Sequence, residues 1–128
     1  MSKKVSYYKN KLWELCKTYV RLRDHNICQR CGKMVVGRQA HTSHVVPKSH
    51  GNILRYDDQN LKVMCNYCHK WWHGNPIESS EWFETKFPRR HNYLMKRKEM
   101  LMKFKEDDWK EMITGYELAI EKETENEL

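Results

Sequence analysis

The chain has 128 residues, of which 39% are hydrophobic and 32% charged, and it carries a formal net charge of +7. That length suits a single domain with a modest core, and no apolar run approaches the roughly 18 residues that a helical membrane span requires. The opening MSKKVSYYKN has no apolar targeting segment, so a cytoplasmic protein without a membrane partner is expected, with five cysteines that stay reduced. Lys and Arg dominate up to residue 105, whereas residues 106–128 are acidic. A basic body suits a polyanionic partner, because cations that neutralise phosphates release condensed counterions.

In chain order, residues 1–26 read as one amphipathic helix. Tyr8, Leu12, Leu15, Tyr19 and Leu22 share one stripe at helical spacing, and Lys17 and Arg21 fall on the opposite, solvated face. Cys16 lies near the stripe with no cysteine at ligand spacing and reads as a buried thiol. Residues 27–75 change texture. CQRCGKM is a tight turn before a β-prone segment from Met34 to Val36, and QAHTSHVVP reads as a strand ending at Pro47. Gly51 and Asn52 sit in a loop before a second short strand, and QNLKVMCNYCHKWWHG leads into a short helix stopped by Gly74 and Pro76.

Residues 76–128 are predicted to be helical. One helix runs from Glu78 to about Lys86, and a second is marked by Leu94, Leu101 and Phe104. A third opens on a capping box of Asp108 and Glu111 and carries Trp109, Met112, Tyr116 and Ile120 as an apolar stripe. The acidic end EKETENEL is expected to fray. These elements predict an α+β fold: a small β-containing module flanked by an N-terminal helix and C-terminal helices.

Cys28 with Cys31 and Cys65 with Cys68 form two C-x-x-C pairs, which together supply four thiolates at spacings that suit one structural Zn²⁺. The lack of a βαβ pattern disfavours a redox pair. With the cysteines assigned to zinc, His69 and His73 are left. They lie four apart, so on a helix they share a face and can bind one ion together, unless they are ordinary surface residues. Trp71 and Trp72 are expected to pack the module rather than touch substrate.

His44 followed by Val45, Val46 and Pro47, then Asn60 and Leu61, then Cys65, Cys68 and His69, resembles the signature of the HNH nucleases over residues 28–74. The resemblance implies a zinc-stapled ββα-metal module acting on DNA, with His44, Asn60 and His69 as its catalytic residues. His44 would be the general base, Asn60 would fix the loop and orient His44, and His69 with His73 would hold a catalytic divalent ion (Mn²⁺, Mg²⁺, Ni²⁺, Co²⁺ or Zn²⁺). Gly74, Asn75 and the helical C-terminal region are also similar in layout to phage recombination nucleases of the NinG, or Rap, type, which would place the protein in a host-cell cytoplasm. One departure stands out. The family usually has Asp or His as a metal ligand immediately before the base, and here that residue is Ser43, so the ion's ligand set would recruit His41 or rely on phosphate and water.

The leading expectation is therefore a metal-dependent DNA endonuclease. A structure-selective nuclease for branched recombination DNA, dimeric through its C-terminal helices, is an alternative within the enzyme class. A zinc module that binds nucleic acid without cutting it is the alternative outside that class, and the standing together of His44, Asn60 and His69 separates the two.

Overall fold

The computed structural model describes residues 3–48 and 52–127, so His50 and Gly51 lie outside the described residues. The fold is α+β. Helix α1 (Lys3–Arg23) buries Leu12, Cys16 and Val20, with Tyr8, Leu15 and Tyr19 packed beside them. Burial pushes the Cys16 thiol up to about 12, which keeps it protonated and unreactive. Arg21 departs from the expected solvated face: its Nη2 donates to the Ala40 carbonyl at 3.2 Å, because the chain folds back over that side of the helix.

Strands β1 (His41–His44) and β2 (Leu61–Met64) pair antiparallel, with His41 opposite Met64 and His44 opposite Leu61. Helix α2 (Asn66–Gly74) follows at once. The pleat sorts the side chains of the ribbon between two helices. His44 turns toward α1, where its ring stacks on Trp13 at 5.4 Å between centroids. His41 and Lys62 turn toward α2, where they meet His69 and Trp72.

Two strands of four residues are too little to stand alone in water. Side chains supply what a third strand would. Asp24 Oδ2 accepts from the Val63 N–H at 3.0 Å, and Gln29 N donates to the Val63 carbonyl at 2.9 Å. Arg23 and Arg90 both donate to the Leu61 carbonyl, at 2.6 and 2.8 Å, and Arg23 also clasps Asp24 through both carboxylate oxygens. The exposed edge of the ribbon is thereby satisfied without further β-structure.

Several boundaries differ from the sequence reading. β1 stops at His44 rather than Pro47, because both backbone groups of Val46 bond the Asn60 side chain instead of a ladder. The second strand lies at Leu61–Met64, directly before α2. Residues 53–57 turn, with Asn52 Oδ1 accepting from Leu54 N at 2.6 Å. Met34 makes only an isolated bridge to Ile27.

Helices α3 (Pro76–Lys86) and α4 (Pro88–Met95) each open on a proline, a residue suited to the first helical position, so Pro88 ends one helix and starts the next. α4 does not extend through Leu101 and Phe104; Leu101 instead bridges to Asn52. Helix α5 (Glu106–Asn126) starts earlier than its expected cap and stays helical through most of the acidic end. Asp108 is its third residue and accepts from the Lys105 N–H at 2.7 Å.

α5 runs parallel to α1. Lys4 meets Glu106 at 2.5 Å, Lys11 meets Glu117 at 4.0 Å, and Tyr19 packs edge-on against Tyr116. The stripe around Trp109 and Tyr116 is thus used inside the chain, and acidic α5 faces basic α1. No helix among the described residues is long and apolar enough to cross a membrane.

Asp24→Ala leaves the Arg23 guanidinium without its carboxylate and the buried Val63 N–H without its acceptor. Removing one partner of a buried pair costs about 3–5 kcal/mol. Urea unfolding of this variant should show a loss of about that size, and a loss under about 1 kcal/mol would contradict the role of this clasp.

Candidate active site and metal centre

The metal centre is built at the two ends of the ribbon. Gly32, at φ 79°, takes the left-handed turn that closes the first knuckle, with its N–H on the Cys28 carbonyl at 2.9 Å. Cys65 caps α2, its sulfur accepting from the Cys68 N–H at 3.4 Å. The sulfur atoms of Cys28, Cys31, Cys65 and Cys68 all lie within 4.8 Å of one another, and those of Cys31 and Cys65 are 3.8 Å apart. A tetrahedral Zn²⁺ with bonds of about 2.3 Å has S–S edges of about 3.8 Å. The four cysteines therefore fit a structural zinc.

The surroundings act unevenly on the four thiols, and burial pushes that of Cys68 up to about 12. Arg30 Nη1 donates to Cys68 Sγ at 3.4 Å while its guanidinium lies 3.7 Å above the Trp71 ring. Burial opposes ionisation of Cys28, yet backbone N–H groups around it bring its thiol down to about 7. Trp71 and Trp72 pack against Trp82, and Trp72 also against Phe83, which is the packing role expected of them.

Three histidines meet on the α2 face. His69 and His73 lie one turn apart with ring centroids 4.6 Å from each other, and His41 stacks on His69 at 4.6 Å. His41 Nε2 also donates to Asn66 Oδ1. His69 Nδ1 is buried without a hydrogen-bond partner among the described residues, and burial, followed by the nearby His41 and His73, pulls this imidazole down to about 4. A neutral imidazole with an unpaired ring nitrogen, as at His69, fits a transition-metal ion. Ser43 takes no part in this group. It is buried and accepts from Lys62 Nζ at 3.1 Å.

Lys62 is a residue that motif reasoning missed. It is fully buried, lies 3.5 Å above the Trp72 ring, and burial pushes its amine well below the ordinary lysine range. The available signal was a lone lysine in the apolar strand LKVM. Its charge would be felt by both His44 and His69.

His44 lies on the other side of the ribbon. Its Nε2 is 3.0 Å from the Arg55 carbonyl, which can only accept, so Nε2 carries the proton and Nδ1 keeps its lone pair. Burial, reinforced by Lys48, Lys62 and Arg55, pulls it down to about 4 and holds it neutral at physiological pH. The ring borders a cleft of about 530 Å³ lined by Ser6, Lys9, Asn10, Trp13, Lys48, Arg55 and Tyr56. Asn60 is buried behind it. Its Oδ1 accepts from Val46 N at 2.7 Å, and its Nδ2 donates to the carbonyls of Val46 and Leu54, both at 3.1 Å. One amide thus ties both ends of the loop that carries Arg55.

The stretch that holds both cysteine knuckles, His44, Asn60 and His69 matches a known family: residues 28–73 match the one described as HNH endonuclease. Over this stretch the chain carries an HNH-type module. No curated protein and no solved structure matches the chain. The HNH module does not contain the whole cleft. Ser6, Lys9, Asn10 and Trp13 come from α1, which precedes it, and only their distance from the motif hid them from sequence reasoning.

Cys65→Ser or Cys28→Ala should unfold the HNH module, since structural Zn²⁺ contributes on the order of 10 kcal/mol or more in small domains. Native mass spectrometry should find one tightly held zinc in the wild type and none in either variant. Folded wild-type protein free of zinc would overturn this assignment.

Proposed function

We propose that the protein is a metal-dependent DNA endonuclease that hydrolyses phosphodiester bonds, with His44 as general base. The observation that carries this reading is His44 itself: a neutral imidazole fixed through Nε2–H on the Arg55 carbonyl, with a basic cleft beside it. Lys9, Lys48 and Arg55 form no ion pair among the described residues and suit a phosphate.

In the proposed reaction a water is positioned against the phosphorus, and His44 Nδ1 takes its proton as the new P–O bond forms. The opposite P–O bond breaks, and the leaving oxygen takes a proton from solvent. Asn60 acts as a positioning residue through the loop it ties. His69 and His73, with His41 beside them, are the residues proposed to hold a divalent ion, which when bound would stabilise charge on the phosphate and leaving oxygen. The scissile phosphate would lie at the His44 end of the ribbon, with the base on one face and the ion on the other.

That separation of His44 from the histidine group also favours a second reading, in which the module binds nucleic acid through the cleft without cutting it. Incubation of the purified protein with plasmid, linear duplex and four-way-junction DNA across several divalent ions tests both. Cleavage supports the enzyme, and preference for the junction supports a structure-selective role on branched DNA. Binding with no cleavage under any ion supports the second reading.

His44→Ala should lower the cleavage rate by at least about 100-fold, the ordinary scale for a general base, with DNA affinity close to wild type. Because burial draws His44 down to about 4, protonation should remove the base only at acid pH, so activity should persist to about pH 5. An acid limb centred near 6.5 would contradict that environment.

A histidine ligand set should favour Mn²⁺, Co²⁺ or Ni²⁺ over Mg²⁺, which prefers oxygen donors. Faster cutting in Mg²⁺ than in Mn²⁺ at equal concentration would contradict the proposed ligands. Ser43→Asp is not expected to restore Mg²⁺ use, because Lys62 Nζ stands 3.1 Å from the Ser43 hydroxyl and would pair with the new carboxylate.

A further inference from the structure

The cleft beside His44 does not end at its basic wall. A second cavity, of about 680 Å³, is lined by Val5, Asn52, Leu101, Met102, Lys103, Phe104 and Trp109, and it shares Lys9, Arg55 and Tyr56 with the first. The two cavities adjoin at these three residues and differ in character, and together they are treated as one groove. At the His44 end the lining is cationic and polar. Beyond the shared residues Trp109 packs on two rings, with centroids 5.7 Å from Tyr56 and 5.1 Å from Phe104. Tyr56 and Trp109 form the buried wall, Phe104 is half-buried, and Leu101 and Met102 lie exposed at the rim, at 71% and 42%.

Charge identifies the occupant. Lys4, Lys11, Lys17 and Lys110 of α1 and α5 stand in ion pairs with glutamates, whereas Lys9, Arg55 and Lys103 along the groove stand in none among the described residues. Among the described residues no acidic side chain lines either cavity. Lys9 Nζ lies 5.9 Å from the centre of the Trp109 ring, at the junction of the two ends. A cationic track leading into an aromatic recess matches a nucleotide, whose phosphate is anionic and whose base is flat and apolar on its faces. A base held in a duplex stack could not enter the recess.

We propose that the Phe104 recess receives an unpaired base of the DNA strand whose phosphate lies at His44, so that the protein prefers single-stranded or locally unpaired DNA over intact duplex. The proposal rests on the reading of the His44 cleft as the phosphate site. Phe104 would stack on the base, Lys9 and Arg55 would hold the connecting phosphate, and α1 and the segment before α5 would act as specificity elements outside the HNH module.

The test measures binding and cutting separately on the zinc-loaded 128-residue chain. Fluorescence anisotropy in buffer freed of divalent ions by chelating resin compares one labelled oligonucleotide as a single strand and as a duplex. The wild type should bind the single strand at least about tenfold more tightly. Phe104→Ala should lower single-strand affinity about tenfold and leave duplex affinity unchanged, since stacking on a side chain contributes on that scale. Met102→Glu, at the exposed rim, should weaken single-strand binding in the same way without removing a packed ring. A strand carrying 2-aminopurine should show fluorescence quenching with the wild type that is lost in Phe104→Ala. Equal affinity for single strand and duplex, or a single-strand preference that both variants retain, overturns the recess. If that occurs while plasmid is still cut in Mn²⁺, the nuclease reading survives alone. If selective binding is seen without cleavage in any ion, the recess stands and the nuclease reading falls.

Discussion

Four cysteine sulfurs gathered within 4.8 Å join the turn before β1 to the start of α2, and the remainder of the module depends on the clamp they form. The ribbon between them has only four residues per strand, too few to offset the conformational entropy of ordering it. Fixing both of its ends reduces that entropy, because the 33 residues between the knuckles become a closed loop. The ribbon can then carry features a free hairpin could not hold, such as a fully buried lysine in β2 and a histidine in β1 with only a carbonyl to accept its ring N–H.

The ribbon is also a partition. Its α2 face holds His41, His69 and His73, and its α1 face holds His44, because side chains of a strand alternate. Asn60 sits where the partition ends, with its side chain on Val46 and Leu54 and its own carbonyl accepting from Val45 N. It is buried, and among the described residues its hydrogen bonds all go to backbone, so its effect reaches His44 through the position of the loop.

Charge is arranged by the same packing. The chain reads as a basic body with an acidic end, yet that end folds along α1 and pairs with Lys4 and Lys11. Acidic α5 thereby neutralises one side of α1 and leaves Lys9, on the side toward His44, without a carboxylate. The net charge of +7 understates how positive the groove is, because many of the acids lie elsewhere.

What the sequence determined by itself was chemistry fixed by close spacing. Two C-x-x-C pairs specify a four-thiolate centre wherever the chain brings them together, and His69 and His73 four apart must share a helix face. The helices at either end were legible for a similar reason: apolar residues at helical spacing report burial whatever covers them. The loops were not, because their paths are set by partners distant in sequence. Asn60 ends β1 at His44, and Asn52 draws Leu101 out of a helix. Only the tertiary structure decided which histidines meet, that Ser43 faces a buried lysine, and that α1 forms one wall of the cleft at His44. Those outcomes depend on strand register and helix docking, where a shift of one residue would exchange the two faces of the ribbon, and no local pattern encodes that choice.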